Sequence, residues 1–292
     1  MFAISIQSPD FLCLWKYVSW SRSSRFCRFS VSCSMTNGTM GSTSRETMIN
    51  ELSIQSSQTS SSRVDAHRIH DLRFDRLQVS EKELIDEDKL EFAQFVAREA
   101  VIDEEYWTAA WLRAESHWEG GVHDRYLISH MRQFAEQEFN AIKRRCIDLY
   151  GQRCKCIVAV RKQDKIAKRT VLKSVVGTLD LSIRFLIQGE TFPGERVKAP
   201  MFCSIDSRAT NRYGYVANVC VSKSARRQGI ASNMMQFAIN VAKSNGIEDV
   251  YVHVHRNNMA AQDLYKKLGF EIVEVATAQL SKEQTYLLRC KA

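Results

Sequence analysis

A basic turn that carries one glycine lies between an apolar run and an amphipathic stretch, in the sequence VCVSKSARRQGIASNMM (residues 219–235). The pattern predicts a strand, a tight turn and the start of a helix. Main-chain N–H groups at a helix start, with the helix dipole behind them, bind anions. Gly229 allows close backbone approach, Ala231 is small, and Arg226 and Arg227 add positive charge. The turn is therefore predicted to hold a phosphate.

The common phosphate-binding motifs do not fit this turn. A P-loop needs G-x-x-x-x-G-K-[ST], and no lysine follows Gly229. A dinucleotide fingerprint needs G-x-G-x-x-G, which is also missing. What remains is an anion site that uses backbone amides and requires no metal.

The segment from Arg226 to Ala231 resembles the R/Q-x-x-G-x-G/A pyrophosphate loop of GNAT-superfamily acetyltransferases, which hold coenzyme A without a metal. Further along, NNMAAQDLYKKLGF (257–270) is similar to the N-x-A-A-x-x-L-Y-x-x-x-G-F helix of that family. Ala231 stands where many members have glycine. The resemblance implies an α/β (α+β) fold with a mixed, mostly antiparallel central sheet flanked by helices. It also implies acetyl-CoA as cosubstrate, no metal, and a V-shaped cofactor cleft at the fourth and fifth strands.

The resemblance further implies which residues contact the cosubstrate. Backbone groups of Val219 and Val221 would pair with the pantetheine amides like an added strand, and an N–H there can serve as oxyanion donor. Asn258 would hold pantetheine or the start of its helix. The complete predicted cofactor set is Val219, Cys220, Val221, Arg226, Arg227, Gln228, Gly229, Ile230, Ala231, Ser232, Asn258, Met259, Ala260 and Tyr265.

Acetyl transfer to an amine needs a base that removes the amine proton, and histidine titrates near neutrality. In VYVHVH (250–255) the valines alternate with Tyr251, His253 and His255, which point to the other face of a strand. Certain N-terminal acetyltransferases carry histidine at this place, paired with a tyrosine that matches Tyr215. The resemblance thus implies that Tyr215 and His253 form the base pair. The alternative is a core histidine and a packing tyrosine.

Tyr265 resembles the family tyrosine whose hydroxyl lies near the thioester sulfur and donates a proton or a hydrogen bond to the departing thiolate. A phenol with a pKa near about 10 stays protonated, which suits that role. A tyrosine in LYxxxGF could equally anchor its helix.

Three functions fit these residues. The first is an organellar protein acetyltransferase acting on protein N-termini and lysine side chains by direct attack in a ternary complex, similar to the plant plastid branch of the superfamily. The second is a small-molecule acetyltransferase for a polyamine or arylalkylamine. The third is a non-catalytic acetyl-CoA sensor, which would not need Tyr215, His253 and Tyr265 together.

Residues 1–62 differ in composition from the rest of the chain. WSRSSRFCRFSVSCSM is rich in serine and arginine and contains no acidic residue, which is typical of an organelle transit peptide. The following segment is too polar to bury a core and predicts a disordered linker. We expect a plastid transit peptide plus linker over 1–62, stromal localisation, and a GNAT acetyltransferase domain over 63–292. The alternative is an ordinary unstructured terminus.

The remaining composition bounds the partners. The net charge of +8 is not concentrated in long Lys/Arg blocks, so no nucleic-acid partner is predicted. No apolar run approaches the roughly 20 residues of a membrane span. Nine scattered cysteines without a CxxC pair argue against zinc and for a reducing compartment. The oligomeric state stays open.

Periodicity predicts the elements that position these residues. Strands are expected at 72–79, 154–162, 170–187, 213–222, 249–255, 270–275 and 285–290. Helices are expected at 90–101, from Asp103 to Trp118, from Arg125 to Tyr150 ahead of Gly151, at 227–246 and at 257–269. The segment 189–207 is predicted to be a lid or substrate loop.

Overall fold

A computed structural model of the protein describes residues 72–78, 89–119, 125–146, 153–162, 169–186, 189–196 and 212–292. The transit peptide and linker predicted for residues 1–62 lie outside the described residues. The predicted domain boundary at residue 63 and the second half of the 189–207 loop also lie outside them.

The described residues form eight strands and six α-helices. The strands are β1 (Leu90–Phe92), β2 (Phe95–Glu99), β3 (Arg153–Arg161), β4 (Val175–Phe185), β5 (Arg212–Val221), β6 (Asp249–His255), β7 (Glu271–Ile272) and β8 (Thr285–Lys291). The helices are α1 (Asp103–His117), α2 (Leu127–Cys146), the single turn α3 (Val171–Ser174), α4 (Ile230–Ser244), α5 (Met259–Lys267) and α6 (Glu274–Leu280).

One eight-stranded sheet carries all of these strands in the order β1-β2-β3-β4-β5-β6-β8-β7. Every neighbouring pair is antiparallel except β5 and β6, which are parallel. The predicted fold class, a mixed and mostly antiparallel sheet flanked by helices, is therefore confirmed.

Helices cover both faces of the sheet. On one face, α4 buries Met234 and Met235 in a cluster with Leu179 of β4 and Val252 of β6. On the other face, Trp107 and other side chains of α1 and α2 pack against β3. The predicted alternation in β6 is confirmed, because its three valines are buried in the α4 cluster while Tyr251 packs in a separate cluster. Period-two alternation thus directs Tyr251 and His253 away from the α4 core.

The helix predicted at 90–101 is wrong. This segment is a hairpin in which Phe92 pairs with Phe95 across a two-residue turn, and Ala93 adopts φ 43°. β2 is buried on both faces, and its Arg98 donates to the Glu105 carboxylate at 3.0 Å. A strand covered on both faces reads as a continuous apolar run, which mimics helical spacing.

Three further boundaries differ from the prediction. The strand expected at 72–79 is reduced to one bridge between Leu77 and Thr170. The strand expected from Thr170 begins with the helical turn α3. After β7, residues expected to extend the strand form α6, because Val273, Ala276 and Leu280 recur at helical spacing and bury that face of the helix against β8.

Candidate active site

The parallel junction of β5 and β6 brings the two predicted base residues together. Gly214, Tyr215 and Val216 pair with Val250, Tyr251 and Val252. The Tyr215 hydroxyl lies 3.0 Å from Nδ1 of His253, and the two rings are 5.7 Å apart. These side chains lie on the same face of the sheet because Tyr215 pairs with Tyr251, and His253 is two residues beyond Tyr251.

A positive charge lies beside this pair. The Arg184 guanidinium, near the end of β4, stands 5.1 Å from the centre of the Tyr215 ring. Burial first, and the charge of Arg184 second, lower the pKa of His253 to about 4. This value is below the near-neutral titration expected from the sequence, and it keeps the imidazole uncharged at neutral pH.

The two strands part immediately after this pair. β5 continues to Val221 alongside β4, while beyond Val252 β6 pairs with β8 alone. A bulge in β5 marks the divergence: Asn218 adopts φ 55°, and the register to β4 shifts between Thr178 and Asp180. The edge of β5 from Ala217 to Val221 is thus not paired with β6, and the gap between the two strands lies where the resemblance predicts the V-shaped cleft.

A buried ionic network supports the bulge, and the sequence analysis missed it. Asn218 donates to Asp180 at 3.0 Å, and Arg113 of α1 donates to both oxygens of the same carboxylate, at 2.7 and 3.1 Å. Glu138 and Arg145 of α2 complete the group. Burial alone would raise the pKa of Asp180, but the two arginines outweigh it and hold that pKa at about 2. These charged residues come from three segments that are distant in the chain (α1, α2 and β4), so no local sequence motif predicts the network.

The glycine loop, defined as Lys223–Gly229, leads from β5 into α4. Gly229 is the N-cap of α4 in the left-handed region, with φ 75°, and no side chain caps the helix start. The first N–H groups of an α-helix have no intrahelical acceptor. A Cβ placed on Gly229 would meet nothing nearer than the Asn233 amide nitrogen at 3.4 Å. The helix start therefore offers its amides to a ligand, as an anion site requires.

The two arginines of the loop have different surroundings. Arg226 is half-buried, and its guanidinium makes a paired contact with the Glu119 carboxylate at 2.8 and 2.6 Å. Arg227 is exposed and adopts φ 65°. Gln228 is also exposed and accepts a hydrogen bond from Gln94 at 3.2 Å. Arg227 and Gln228 thus lie at the surface beside the helix start.

The start of α5 lies on the β6 side of the gap. Asn258 caps this helix by accepting from the Ala261 N–H at 3.2 Å, which is the helix-start role considered above. Met259 is exposed, and Ala260 is half-buried. Tyr265 is 2% exposed and packs against Phe270. Burial first, and the nearby Tyr215 and Cys220 next, raise its pKa above the ordinary value.

The other predicted contacts belong to β5 and the first turn of α4. The side chains of Val219, Val221, Ile230 and Ala231 are buried in the α4 core, and Ser232 is half-buried. Cys220 faces α1, where Ser116 hydrogen-bonds its thiol and burial raises its pKa. Between Val219 and Val221, β5 therefore has only backbone groups to offer to a ligand in the gap.

The described part of the predicted substrate loop, residues 189–196, packs beside the Tyr215–His253 pair. Phe192 is buried with Tyr213, Tyr215 and Tyr251. Gln279 of α6 fixes this segment by donating to the Gly194 carbonyl at 2.8 Å and accepting from the Arg196 N–H at 2.9 Å. Phe192 and the tyrosines of β5 and β6 thus form an aromatic wall beside His253, and α6 packs in the same cluster.

Within the described residues, no cluster of three or more His, Cys, Asp or Glu side chains is arranged to bind a metal ion. No helix in that part of the chain has the length and apolar character needed to cross a bilayer.

Comparison with known proteins decides the family. Residues 127–270 match the model of the acetyltransferase (GNAT) family. The chain is 61% identical over 239 residues to the chloroplastic GCN5-related N-acetyltransferase 6 of Arabidopsis thaliana, covering 82% of each chain. It belongs to the GNAT family. A second Arabidopsis relative, the chloroplastic GCN5-related N-acetyltransferase 7, is 32% identical over 212 residues, or 67% of this chain and 73% of that one.

A shorter match is to N-alpha-acetyltransferase 50 of Danio rerio, 32% identical over 73 residues, or 25% of this chain and 44% of that protein. As a GNAT enzyme the chain is an N-acetyltransferase with acetyl-CoA as cosubstrate, as predicted. The predicted plastid localisation is confirmed by the two chloroplastic relatives.

Proposed function

We propose that this GNAT enzyme acetylates the N-terminal α-amines of plastid proteins, and also lysine ε-amines, by direct attack in a ternary complex. The observation that carries the proposal is the 3.0 Å contact between Tyr215 and Nδ1 of His253 at the point where β5 and β6 part. The short match to an N-alpha-acetyltransferase supports a peptide acceptor.

The glycine loop and the β5 edge fit coenzyme A. The uncapped amides from Gly229 to Ser232 would hold its pyrophosphate, with Arg227 and Gln228 at the rim. Backbone groups of Val219, Cys220 and Val221 would pair with pantetheine, and an N–H there would stabilise the oxyanion. Asn258, Met259 and Ala260 would line the opposite side. When bound, acetyl-CoA supplies an acetyl thioester that is activated toward amines.

The base pair acts on an amine that must lose its proton. In the tautomer in which Nδ1–H donates to the Tyr215 oxygen, Nε2 of neutral His253 would accept the amine proton, directly or through a water, while Tyr215 orients the ring. A histidine with a pKa of about 4 is a weak base. The same environment assists in another way, because burial and Arg184 disfavour a bound ammonium ion just as they disfavour the imidazolium. The site therefore lowers the pKa of the acceptor amine and of its base together.

Tyr265 would donate a hydrogen bond to the departing sulfur. Its pKa is raised above about 10, whereas a thiol titrates near about 8.5, so full proton transfer to the sulfur is unfavourable. A buried phenol that remains protonated can still stabilise the developing negative charge.

The charge beside the site argues against a polyamine acceptor. A polyamine carries several ammonium groups, and Arg184 beside Tyr215 repels them. A peptide N-terminus carries one ammonium group, which loses its proton and its charge before the amine attacks.

The test is mass spectrometry on the purified chain with isotopically labelled acetyl-CoA and a peptide library. Each peptide is supplied in three matched forms: free N-terminus with lysine replaced by arginine, blocked N-terminus with lysine, and both groups blocked. We expect label on the first two forms, none on the third, and none with the Tyr215→Phe/His253→Ala variant. Label on spermidine or an arylalkylamine without label on peptides would favour the small-molecule alternative, and coenzyme A binding without any transfer would favour a sensor.

A further inference from the structure

Every nitrogen of the Arg226 guanidinium donates a hydrogen bond to another group of the protein. Its Nη1 and Nη2 donate to the two Glu119 oxygens at 2.8 and 2.6 Å, and its Nε donates to the Val221 carbonyl at 3.0 Å. This is the planar fork geometry in which arginine binds a carboxylate most strongly. Three of the five guanidinium N–H groups are thus bonded within the protein, including the end-on pair that would otherwise bind a phosphate with two parallel bonds.

Glu119 is itself fixed by the helical face of the domain. It follows α1 directly, and the two preceding residues pack on α2: the His117 ring stacks on Phe134 at 5.3 Å, and Trp118 meets the same ring edge-on. Glu119 and Arg226 are 107 residues apart in the chain. Their contact therefore ties the glycine loop to the α1–α2 layer.

The pair is stable as an ion pair. The side chains of Glu119 and Arg226 are only 16% and 20% exposed, so solvent screens their attraction less than it screens that of a surface pair. Hydrogen bonds from Arg226, with its charge and that of Lys223, lower the pKa of Glu119. The carboxylate is thus ionised at neutral pH, and it neutralises one of the two loop arginines.

We propose that Glu119 is a positioning residue for coenzyme A binding: it holds the Arg226 guanidinium so that the glycine loop presents its amides, and neither side chain contacts the pyrophosphate. This inference rests on the proposed cofactor role of the loop. Arg226 then acts by fixing the conformation of the backbone between Val221 and Gly229. Arg227, which is exposed, is the arginine of the loop that can contact a ligand.

A charge-swap cycle tests this, with the dissociation constant of coenzyme A measured by calorimetry and folding checked by thermal unfolding. Arg226→Glu and Glu119→Arg should each weaken binding by at least about tenfold, because each places like charges together. The double variant should recover to within about fivefold of wild type, since the reversed pair forms again without the Nε bond to Val221. Arg226→Lys keeps the charge but loses the fork, and should weaken binding by about fivefold.

Direct phosphate contact by Arg226 predicts the opposite pattern. Glu119→Arg would then bind coenzyme A as well as wild type or better, Arg226→Lys would retain affinity, and the double variant would stay as weak as Arg226→Glu; this pattern overturns the inference. Should a swapped variant fail to fold, Glu119→Gln decides between the two cases, because weaker binding supports positioning and unchanged binding contradicts it. The exposed pair Arg132–Glu136 on α2, swapped in the same way, controls for charge reversal. Wild type that fails to bind coenzyme A would instead refute the loop assignment itself.

Discussion

The Tyr215 hydroxyl and Nδ1 of His253 are 3.0 Å apart at the end of the paired segment of the parallel strands β5 and β6. One member comes from each strand, so the pair exists only where the strands still run together. Immediately beyond it the strands diverge into the cofactor cleft. The proposed base therefore stands where an acceptor amine would meet a ligand lying along β5.

Removing either member of this pair should reduce turnover and leave cosubstrate affinity intact. We expect His253→Ala and Tyr215→Phe each to lower kcat by about 100-fold or more, with coenzyme A affinity within about twofold of wild type. Because the two side chains act as one unit, the double variant should be about as slow as the slower single variant.

Tyr251→Phe is the matched control, since Tyr251 is buried on the same strand face but its hydroxyl interacts with Arg289. Full activity of the His253→Ala variant would mean that this histidine only packs in the protein and is not the base.

The dependence of the rate on pH should report the substrate amine and not His253. With a pKa of about 4 in the folded protein, His253 is in its basic form throughout the range above about pH 5. Activity on an α-amine should therefore rise with the deprotonated amine and level off at or below about pH 8, whereas activity on a lysine continues to rise toward about pH 10. Steady-state kcat/KM on matched peptides measures this. An acid limb near about pH 6.5 with both substrates would mean that His253 titrates at its ordinary value.

Tyr265 should matter for its hydroxyl and not for its ring. Tyr265→Phe keeps the packing on Phe270 but loses the proposed hydrogen bond to the departing sulfur, so kcat should fall by about tenfold with little change in stability. The control is Tyr106→Phe in α1, which removes a buried hydroxyl that donates to the Ala100 carbonyl at 2.8 Å, just before that helix. That variant should lose about 1 kcal/mol of stability with unchanged kinetics. If Tyr265→Phe retains more than about half of the wild-type rate, the residue has no part in the chemistry.

The parts of the site that lie within one stretch of chain could be predicted from the sequence. The glycine loop and the α5 helix each place their residues within a few positions, so spacing carries the information. Period-two alternation in β6 predicts correctly that His253 points away from the valine core. The role of Tyr215 could be predicted only from the family resemblance, because a tyrosine in a strand can serve many purposes.

The supporting contacts could not be predicted in this way. Glu119 and Arg226 are 107 residues apart, and Asn218 and Asp180 are 38 apart. Each pair depends on tertiary packing, and one acidic or basic residue in a sequence does not identify its partner. The 90–99 hairpin was missed for a related reason, since burial of both faces of β2 hides the alternation that identifies a strand.

The network under the bulge predicts a large stability effect at Asp180. Asp180→Asn leaves Arg113 and Arg145 buried with reduced compensation, and breaking such a buried pair costs about 3–5 kcal/mol. Denaturant unfolding should show this loss, and acetyl transfer should fall because Asn218 then donates to a neutral amide oxygen in place of a carboxylate, which weakens its support of the bulge. Glu91→Gln removes surface ion pairs with Lys162 and Lys89 and should change the free energy of unfolding far less. Equal stability of the two variants would mean that the network does not support the fold.

A substitution at Gly229 should separate the effect on coenzyme A affinity from the effect on folding stability. A Cβ on Gly229 meets nothing closer than 3.4 Å within the protein, so Gly229→Ala should cost only the roughly 1–2 kcal/mol of a left-handed alanine. The new methyl group would nevertheless stand where a phosphate must approach the helix start, and coenzyme A affinity should fall by about tenfold or more. Gly246→Ala is the matched control, because Gly246 has φ 71° and open space around it but lies at the far end of α4. Both variants should lose similar stability, and Gly229→Ala alone should lose affinity; equal affinity in the two would refute the phosphate site at this turn.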